Sequence, residues 1–236
     1  MQSESYNQRL FEGIKIRRFY HDWRFKWFRK YSAKYFDSKT KIQAIEIGCF
    51  DGRLISHFPK TLHRYVGFDA DWGGGLSEAK AKDWGDKDIE FHFSNDASDL
   101  SRYGDNEFNC AVSLETLEHL KPDLLDAYID QLDRITDGYI FVSVPNEKGL
   151  VFLVKYLAKA MLGAKGKSKY SIFEVINLTL GRTNAVQRAD HKGFDFDFLR
   201  RQLSRKFDLI EFGGGPVGIL PTRLNLTITF ILKSRS

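Results

Sequence analysis

Residues 44–53, AIEIGCFDGR, contain an apolar run that ends in a short turn with two glycines, Gly48 and Gly52. Glycine tolerates a positive φ and lets the backbone approach a ligand closely. A helix that begins after such a turn presents backbone N–H groups that have no partner within the helix. The stretch therefore predicts a strand, a tight turn and a helix, with a ligand site at the turn.

Beyond this stretch, apolar runs of strand length alternate with segments of helical period, which is typical of a parallel sheet covered by helices on both faces. The chain ends in two short strands joined by a loop rich in glycine and proline, which predicts an antiparallel last strand. The predicted fold class is therefore α/β: a Rossmann-like, doubly wound, seven-stranded sheet, mostly parallel, with N-terminal helices and a helical insertion after strand five. The strands of the alternating part are predicted at 42–47, 65–68, 89–93, 108–113 and 139–144, and the helices at 53–58, 76–84, 97–103 and 122–135.

Composition and charge exclude several classes of protein. Hydrophobic residues make up 42% of the chain and charged residues 28%, which is usual for a folded globular protein and not for a disordered one. The two cysteines, Cys49 and Cys110, lie in apolar runs, so neither a disulfide nor a cysteine metal site is expected. No apolar run approaches the roughly 20 residues of a spanning helix, and no secretory signal is visible. We predict a cytoplasmic location, with peripheral membrane contact as an alternative because the net charge of +5 is patchy.

Three acidic residues, Glu46, Asp69 and Asp96, lie at the carboxyl ends of the first three predicted strands. Ligands of open α/β sheets bind beyond this edge. The spacing suits a nucleotide-like ligand: Asp69 is placed to accept from ribose hydroxyls, and Asp96 with the N–H of Ala97 to bind a base. The turn lacks the G-x-G-x-x-G spacing that holds a pyrophosphate, so the three acids favour a ligand that carries a cation.

These motifs together resemble the class I S-adenosylmethionine-dependent methyltransferases, in the broad group that includes the ubiquinone-biosynthesis O-methyltransferases. AIEIGCFDG resembles the first family motif, GFDAD the ribose-binding acid and NDASDL the adenine-binding segment, although Phe50 replaces the usual middle glycine. FNCAVSLETLEHL and YIFVSVPN resemble the fourth and fifth strands with their loops, and DHKGFDFDFLRRQL the histidine-containing segment before the last helix. The resemblance implies S-adenosylmethionine as cofactor, bound by Glu46, Gly48, Cys49, Phe50, Gly52, Asp69, Ala70, Asp96, Ala97 and Ser113.

One domain, 1–236, is expected because a chain of this length can bury one substantial core. Its parts are predicted as an N-terminal helical cap (1–40), a cofactor-binding core (41–146), a helical insertion or lid (147–192), and the last helix with the C-terminal strand pair (193–236).

The resemblance also implies methyl transfer, in which positioning supplies much of the rate and a base assists a hydroxyl acceptor. Glu115 and His119 have i, i+4 spacing, which predicts a shared helix face beside the cofactor, although such a pair can also simply brace a helix. By resemblance, the loop of His191 lies near the substrate mouth. We predict His191, His119 and Glu115 as the catalytic residues. No metal is predicted, because VPNEKG after strand five offers only Asn146 and Glu147 as ligands.

The sequence says least about the methyl acceptor. Residues 17–36 interleave basic and aromatic side chains and are predicted to cap the sheet, while 150–169, LVFLVKYLAKAMLGAKGKSK, combine an apolar body with a basic end, as in a lid or an interfacial helix. We expect O-methylation of a small molecule, a sugar or a lipid- or carrier-linked glycan, and no nucleic acid, because no recognition module is visible. The alternatives are a non-catalytic S-adenosylmethionine-binding or scaffold protein and an NAD-dependent oxidoreductase. The sequence does not specify an oligomeric state.

Overall fold

A computed structural model describes residues 15–161, 170–189 and 191–235 of the chain. Its seven strands are β1 (Ile42–Ile47), β2 (Leu62–Asp69), β3 (Asp88–Phe93), β4 (Phe108–Leu114), β5 (Thr136–Pro145), β6 (Asp208–Gly215) and β7 (Thr227–Lys233). They form one sheet in the order β3-β2-β1-β4-β5-β7-β6. Strands β1 to β5 pair in parallel, and β7 is antiparallel to both of its neighbours. The predicted α/β sheet with an antiparallel last strand is confirmed.

Six α-helices accompany this sheet in the described part of the chain: α1 (Lys15–Tyr35), α2 (Gly75–Ala81), α3 (Pro122–Ile135), α4 (Gly149–Met161), α5 (Ile172–Thr179) and α6 (Phe196–Lys206). The helix predicted at 122–135 is confirmed to the residue. The segments predicted as helices at 53–58 and 97–103 are short 3₁₀ helices instead, Arg53–His57 and Ala97–Arg102. Runs this short make few i→i−4 hydrogen bonds, so the tighter turn competes well.

Helices α3 and α6 cover one face of the sheet. Proline fits the first turn of α3 because its missing N–H would have no intrahelical partner there. Leu125, Ile129 and Leu132 of α3 are buried on one stripe at helical spacing, and Leu199 and Leu203 of α6 join the same core. The apolar stripe read from the sequence is therefore the sheet-facing side of α3.

Helix α1 packs on the opposite face through aromatic side chains. The ring of Phe28 is fully buried, with its centroid 4.7 Å from that of Phe58 and 5.2 Å from that of Phe141 on β5. Edge-to-face contacts of this kind add to the free energy gained from burial alone. The packing fixes α1 beside the carboxyl end of β1 and thereby carries Arg24 to the ligand edge of the sheet.

Helices α4 and α5 follow β5 and contact each other through a small core of their own, formed by Phe152, Leu178 and Val186. A Ser171–Glu174 capping box begins α5. Residues 162–169 and 190 of the predicted lid, which include Leu162, Lys165, Lys167 and Lys169, lie outside the described residues. Within the described ranges, none of the helices has the length and apolarity needed to cross a bilayer.

Candidate functional site

The glycine turn after β1 is held to the end of β2 by backbone hydrogen bonds. Gly48 has φ +84 and donates its N–H to the carbonyl of Phe68 at 2.7 Å. The N–H of Phe50, which has φ +48, donates to Asp69 Oδ2 at 2.8 Å, and the N–H of Asp71 donates to Asp69 Oδ1 at 2.7 Å. Asp69 therefore fixes the turn, and each of its oxygens keeps a lone pair for a ligand.

A cavity of about 480 Å³ opens at the carboxyl ends of β1, β2 and β4, beside this turn. Its volume falls within the range usual for small-molecule sites. Helix α1 contributes Arg24, and α3 contributes Tyr128. The other lining residues used below are Glu46, Gly48, Cys49, Phe50, Asp69, Ala70, Trp72, Ser94, Asn95, Glu115, Thr116 and His119.

Three acidic side chains, Glu46, Asp69 and Glu115, line the cavity. Burial raises the pKa of Glu46 to about 8, against the hydrogen bond that it accepts from the Tyr65 hydroxyl. Burial also raises the pKa of Asp69 and of Glu115. The positive charge of Arg24 offsets part of this rise at Glu46 and Glu115. A cationic ligand would offset more of it, because an opposite charge favours the ionised form of each acid.

Arg24 adds a positive charge to the lining of the same cavity. Its Nε is buried and has no hydrogen-bond partner among the residues that the structure describes. A buried donor in that state gains from a ligand acceptor. The cavity therefore combines acids for a cation with a guanidinium for an anion, which suits a zwitterionic ligand.

Six of the ten predicted cofactor-binding residues line this cavity: Glu46, Gly48, Cys49, Phe50, Asp69 and Ala70. Gly52, Asp96, Ala97 and Ser113 do not. A β-carbon on Gly52 would meet Phe91 at 2.8 Å, so this glycine permits packing against β3. Asp96 is exposed and accepts from the N–H of Ser98 at 2.8 Å, so it caps the following 3₁₀ helix.

Ser94 and Asn95 line the cavity at the end of β3, where Asp96 and Ala97 were expected. Ala97, the first residue of the 3₁₀ helix, has its side chain buried in the core. Ser113 is buried within β4. The shift arises because β3 ends at Phe93, so the chain turns away before Asp96. Arg24 and Thr116 were also missed, since no local motif marks either residue.

The predicted helix face shared by Glu115 and His119 is wrong. Glu115 has φ +56, and only one 3₁₀ turn, Leu117–His119, follows it. Both side chains nevertheless reach the cavity, and Glu115 accepts from Ser143 Oγ at 3.2 Å. His191 lies just outside the lining, with its ring centroid 4.3 Å from that of His119. The fold thus brings together the two histidines that the sequence proposed as separate candidates.

We expect Gly48→Ala to lower the free energy of unfolding by about 2–4 kcal/mol, from left-handed backbone strain and overpacking. An added β-carbon would lie 2.0 Å from Thr116 Oγ1, so a side chain here damages the fold as well as the cavity. Gly74→Ala is the matched control. Gly74 also has a positive φ, of +71, but an added β-carbon there would have no atom within 4 Å. Urea denaturation measures both variants, and an equal loss would contradict the packing role of Gly48.

Comparisons with known proteins agree with this geometry. Residues 17–197 match the family model Methyltransf_23, described as a methyltransferase domain. No curated protein sequence matches the chain significantly. The PH0226 protein from Pyrococcus horikoshii OT3 superposes with a TM-score of 0.64 at 14% identity, over 99% of this chain and 100% of that chain.

Two further solved structures share the fold. Magnesium protoporphyrin IX methyltransferase from Synechocystis PCC 6803, with bound SAH, has a TM-score of 0.55 at 15% identity, over 96% of this chain and 92% of that chain. A TehB-like SAM-dependent methyltransferase from Corynebacterium glutamicum has a TM-score of 0.53 at 13% identity, over 84% of this chain and 83% of that chain.

At these identities the structural likeness shows the fold, and membership rests on the family model. The comparisons do not single out the ubiquinone-biosynthesis group. The chain belongs to the methyltransferase-domain family, and it has the Rossmann-like fold of class I S-adenosylmethionine-dependent methyltransferases.

Proposed function

We propose that this protein transfers the methyl group of S-adenosylmethionine to a hydroxyl oxygen of an amphipathic acceptor. The observation that carries the proposal is the cavity at the end of β1, where Asp69, Glu115, Arg24 and the buried Glu46 surround one space. The same space is bordered by His119, and histidine is the side chain that most often transfers protons in catalysis.

The residues present fit S-adenosylmethionine. The free lone pairs of Asp69 suit two ribose hydroxyls, and the buried Nε of Arg24 suits the carboxylate of the methionine part. Glu46 and Glu115 supply negative charge for the ammonium and sulfonium groups. Ser94 and Asn95, at the end of β3, are the polar groups placed for the base.

S-adenosylmethionine supplies a methyl group on a cationic sulfur, which leaves as a neutral thioether when the acceptor oxygen takes the carbon. The protein has to align the acceptor and take up its proton. His119 lines the cavity, and His191 stands behind it at 4.3 Å between ring centroids, so the pair forms a route for that proton.

Calorimetric titration of the purified protein with S-adenosylmethionine, S-adenosylhomocysteine and NAD tests the proposal. We expect both sulfur compounds to bind with one site per chain and NAD not to bind. Binding of NAD alone would support an oxidoreductase. Binding of S-adenosylmethionine without methyl transfer to any hydroxyl acceptor would support the non-catalytic alternative.

An exposed apolar surface on α4 and α5 favours a membrane-associated acceptor. Met161, Ile172 and Phe173 are 88%, 81% and 64% exposed. Leu150, Val154, Leu157 and Ile176 are exposed on the same two helices, and Leu180 is exposed directly after α5. Large exposed apolar surfaces are unusual on soluble proteins and mark interaction sites. The sequence between the helices, LGAKGKSK, contains three lysines, and lysines near a membrane surface are attracted to anionic lipid.

We expect the protein to sediment with vesicles that contain anionic phosphatidylglycerol, and less so at high salt. The double variant Ile172→Ser, Phe173→Ser removes two large apolar groups, each worth about 1.5–3 kcal/mol when buried, so the partition coefficient should fall more than tenfold. Ile210→Ser is the matched control, because Ile210 is also exposed but lies on the edge strand β6, near its start.

Replacing Lys165, Lys167 and Lys169 with Gln should remove the salt dependence, because each lysine near the surface adds about 1 kcal/mol. If neither anionic nor neutral vesicles retain the wild-type protein at any salt concentration, the acceptor is soluble. The exposed surface would then serve only as a lid.

A further inference from the structure

Three side chains from two distant segments meet beside the cofactor cavity. Glu118 and His119 lie in the 3₁₀ turn after β4, and His191 lies before α6. His119 Nε2 lies 3.9 Å from Glu118 Oε1, and His191 Nδ1 lies 4.0 Å from the same oxygen. The three potential ligand atoms lie within 4.8 Å of one another.

Glu118 is the unusual member of this group. Its side chain is fully buried, and neither carboxylate oxygen has a hydrogen-bond partner among the described residues. Leaving a buried carboxylate without a partner is costly, so such groups are paired, protonated or bound to metals. Glu115 and Glu147 add negative charge nearby and Arg24 adds positive charge, while Lys155 pairs with Glu147 at 2.5 Å. The feature that favours a bound cation is therefore the buried carboxylate of Glu118 itself.

The side chain of Arg188 holds the two segments together independently of these three side chains. Arg188, three residues before His191, donates to the carbonyl oxygen of Glu118 and, at 3.3 Å, to that of Leu120. His191 is thus anchored against the turn that carries Glu118 and His119. A preorganised group of this kind binds an ion with little loss of conformational entropy.

We propose that Glu118, His119 and His191 form a binding site for one divalent transition-metal ion of the zinc type. Ligand atoms around one zinc ion, at about 2.0–2.2 Å from it, lie about 3.4 Å apart, so small side-chain rotations would bring these three onto one ion. Two histidines and one carboxylate are also a ligand set that leaves coordination positions open. The sequence predicted no metal because the loop after β5 offers only Asn146 and Glu147 as ligands, whereas the ligands proposed here lie after β4 and before α6.

The proposed site deepens the proposed function and rests on it. His119 belongs to both the cavity lining and the ligand set, so an ion held by these residues would border the cavity. A metal-bound hydroxyl loses its proton to water more readily than a free one, and its oxygen can then take the methyl group. The two histidines would act together as ligands, which explains why the fold places them side by side.

Calorimetry with Zn²⁺ on the chelator-treated, full-length protein tests the site without any acceptor. We expect one Zn²⁺ per chain in the wild type, and affinity reduced by at least about 100-fold in Glu118→Gln and in His191→Ala. His63→Ala is the control, because His63 is exposed near the opposite end of β2. Substitution with Co²⁺ should give visible absorption bands in the wild type that Glu118→Gln abolishes.

The proposal is overturned if the wild type binds neither ion at about 1 mM, or if Glu118→Gln binds as tightly as the wild type. A parallel titration of the chelated protein with S-adenosylmethionine separates the two claims. Retained S-adenosylmethionine binding without metal binding defeats only the metal site. Loss of S-adenosylmethionine binding in every state would instead defeat the proposed function.

Discussion

Replacing His119 or His191 with alanine is expected to lower kcat by roughly 10²–10⁴-fold, the usual contribution of a group that handles the proton of the nucleophile. Because the two rings are 4.3 Å apart and both approach Glu118, the double variant should cost little more than the worse single variant. The measurement is the rate of S-adenosylhomocysteine formation with a hydroxyl acceptor. His191→Ala should leave the affinity for S-adenosylmethionine nearly unchanged, because His191 lies outside the cavity lining.

His63→Ala again serves as the control, since a general effect of losing a histidine would appear there too. Measuring kcat after chelator treatment separates the two possible roles of the histidine pair. If the pair acts as a general base, activity should persist without metal. If the pair acts as metal ligands, activity should be lost. If neither single variant reduces turnover more than a few fold, positioning alone drives the reaction or the acceptor arrives already ionised.

Asp69→Ala is expected to weaken S-adenosylmethionine binding by about 1.5–3 kcal/mol, or about 10–150-fold, because the ribose hydroxyls lose a charged acceptor. The structure adds a second reason. The carboxylate also accepts from the N–H groups of Phe50 and Asp71, so its loss loosens the glycine turn itself. Calorimetry with S-adenosylmethionine measures the effect, and thermal denaturation shows whether the variant is still folded.

Asp96→Ala is the matched comparison for this prediction. The sequence placed both acids at the ligand edge, but Asp96 is exposed and caps a 3₁₀ helix. We expect its substitution to change the affinity for S-adenosylmethionine only a few fold. Unchanged affinity in a folded Asp69→Ala protein would remove Asp69 from the ribose site. A larger loss of S-adenosylmethionine affinity in Asp96→Ala than in Asp69→Ala would support the sequence-based prediction that Asp96 binds the adenine base.

The sequence by itself determined the sheet, the glycine turn and several residues of the cavity lining. Strand periodicity and the stripe of α3 depend on local patterns of two or about four residues, so they can be read without the fold. Glu46, Gly48 and Asp69 could be predicted for the same reason, because topology places the carboxyl ends of neighbouring parallel strands together. A local pattern identified these residues, and the rule for ligand position in α/β sheets completed the prediction.

Only the tertiary structure decided which side chains meet across long sequence distances. Arg24 reaches the cavity because aromatic packing fixes α1, and His191 reaches Glu118 because Arg188 joins two segments about 70 residues apart. The i, i+4 rule failed at Glu115 because a left-handed residue interrupts the helix that the rule assumes. The choice of Ser94 and Asn95 over Asp96 likewise depends on the path of the chain after β3, where Asp96 caps the 3₁₀ helix instead of facing the cavity. Such contacts arise from packing and chain direction, which are properties of the whole fold and are encoded in no short stretch of sequence.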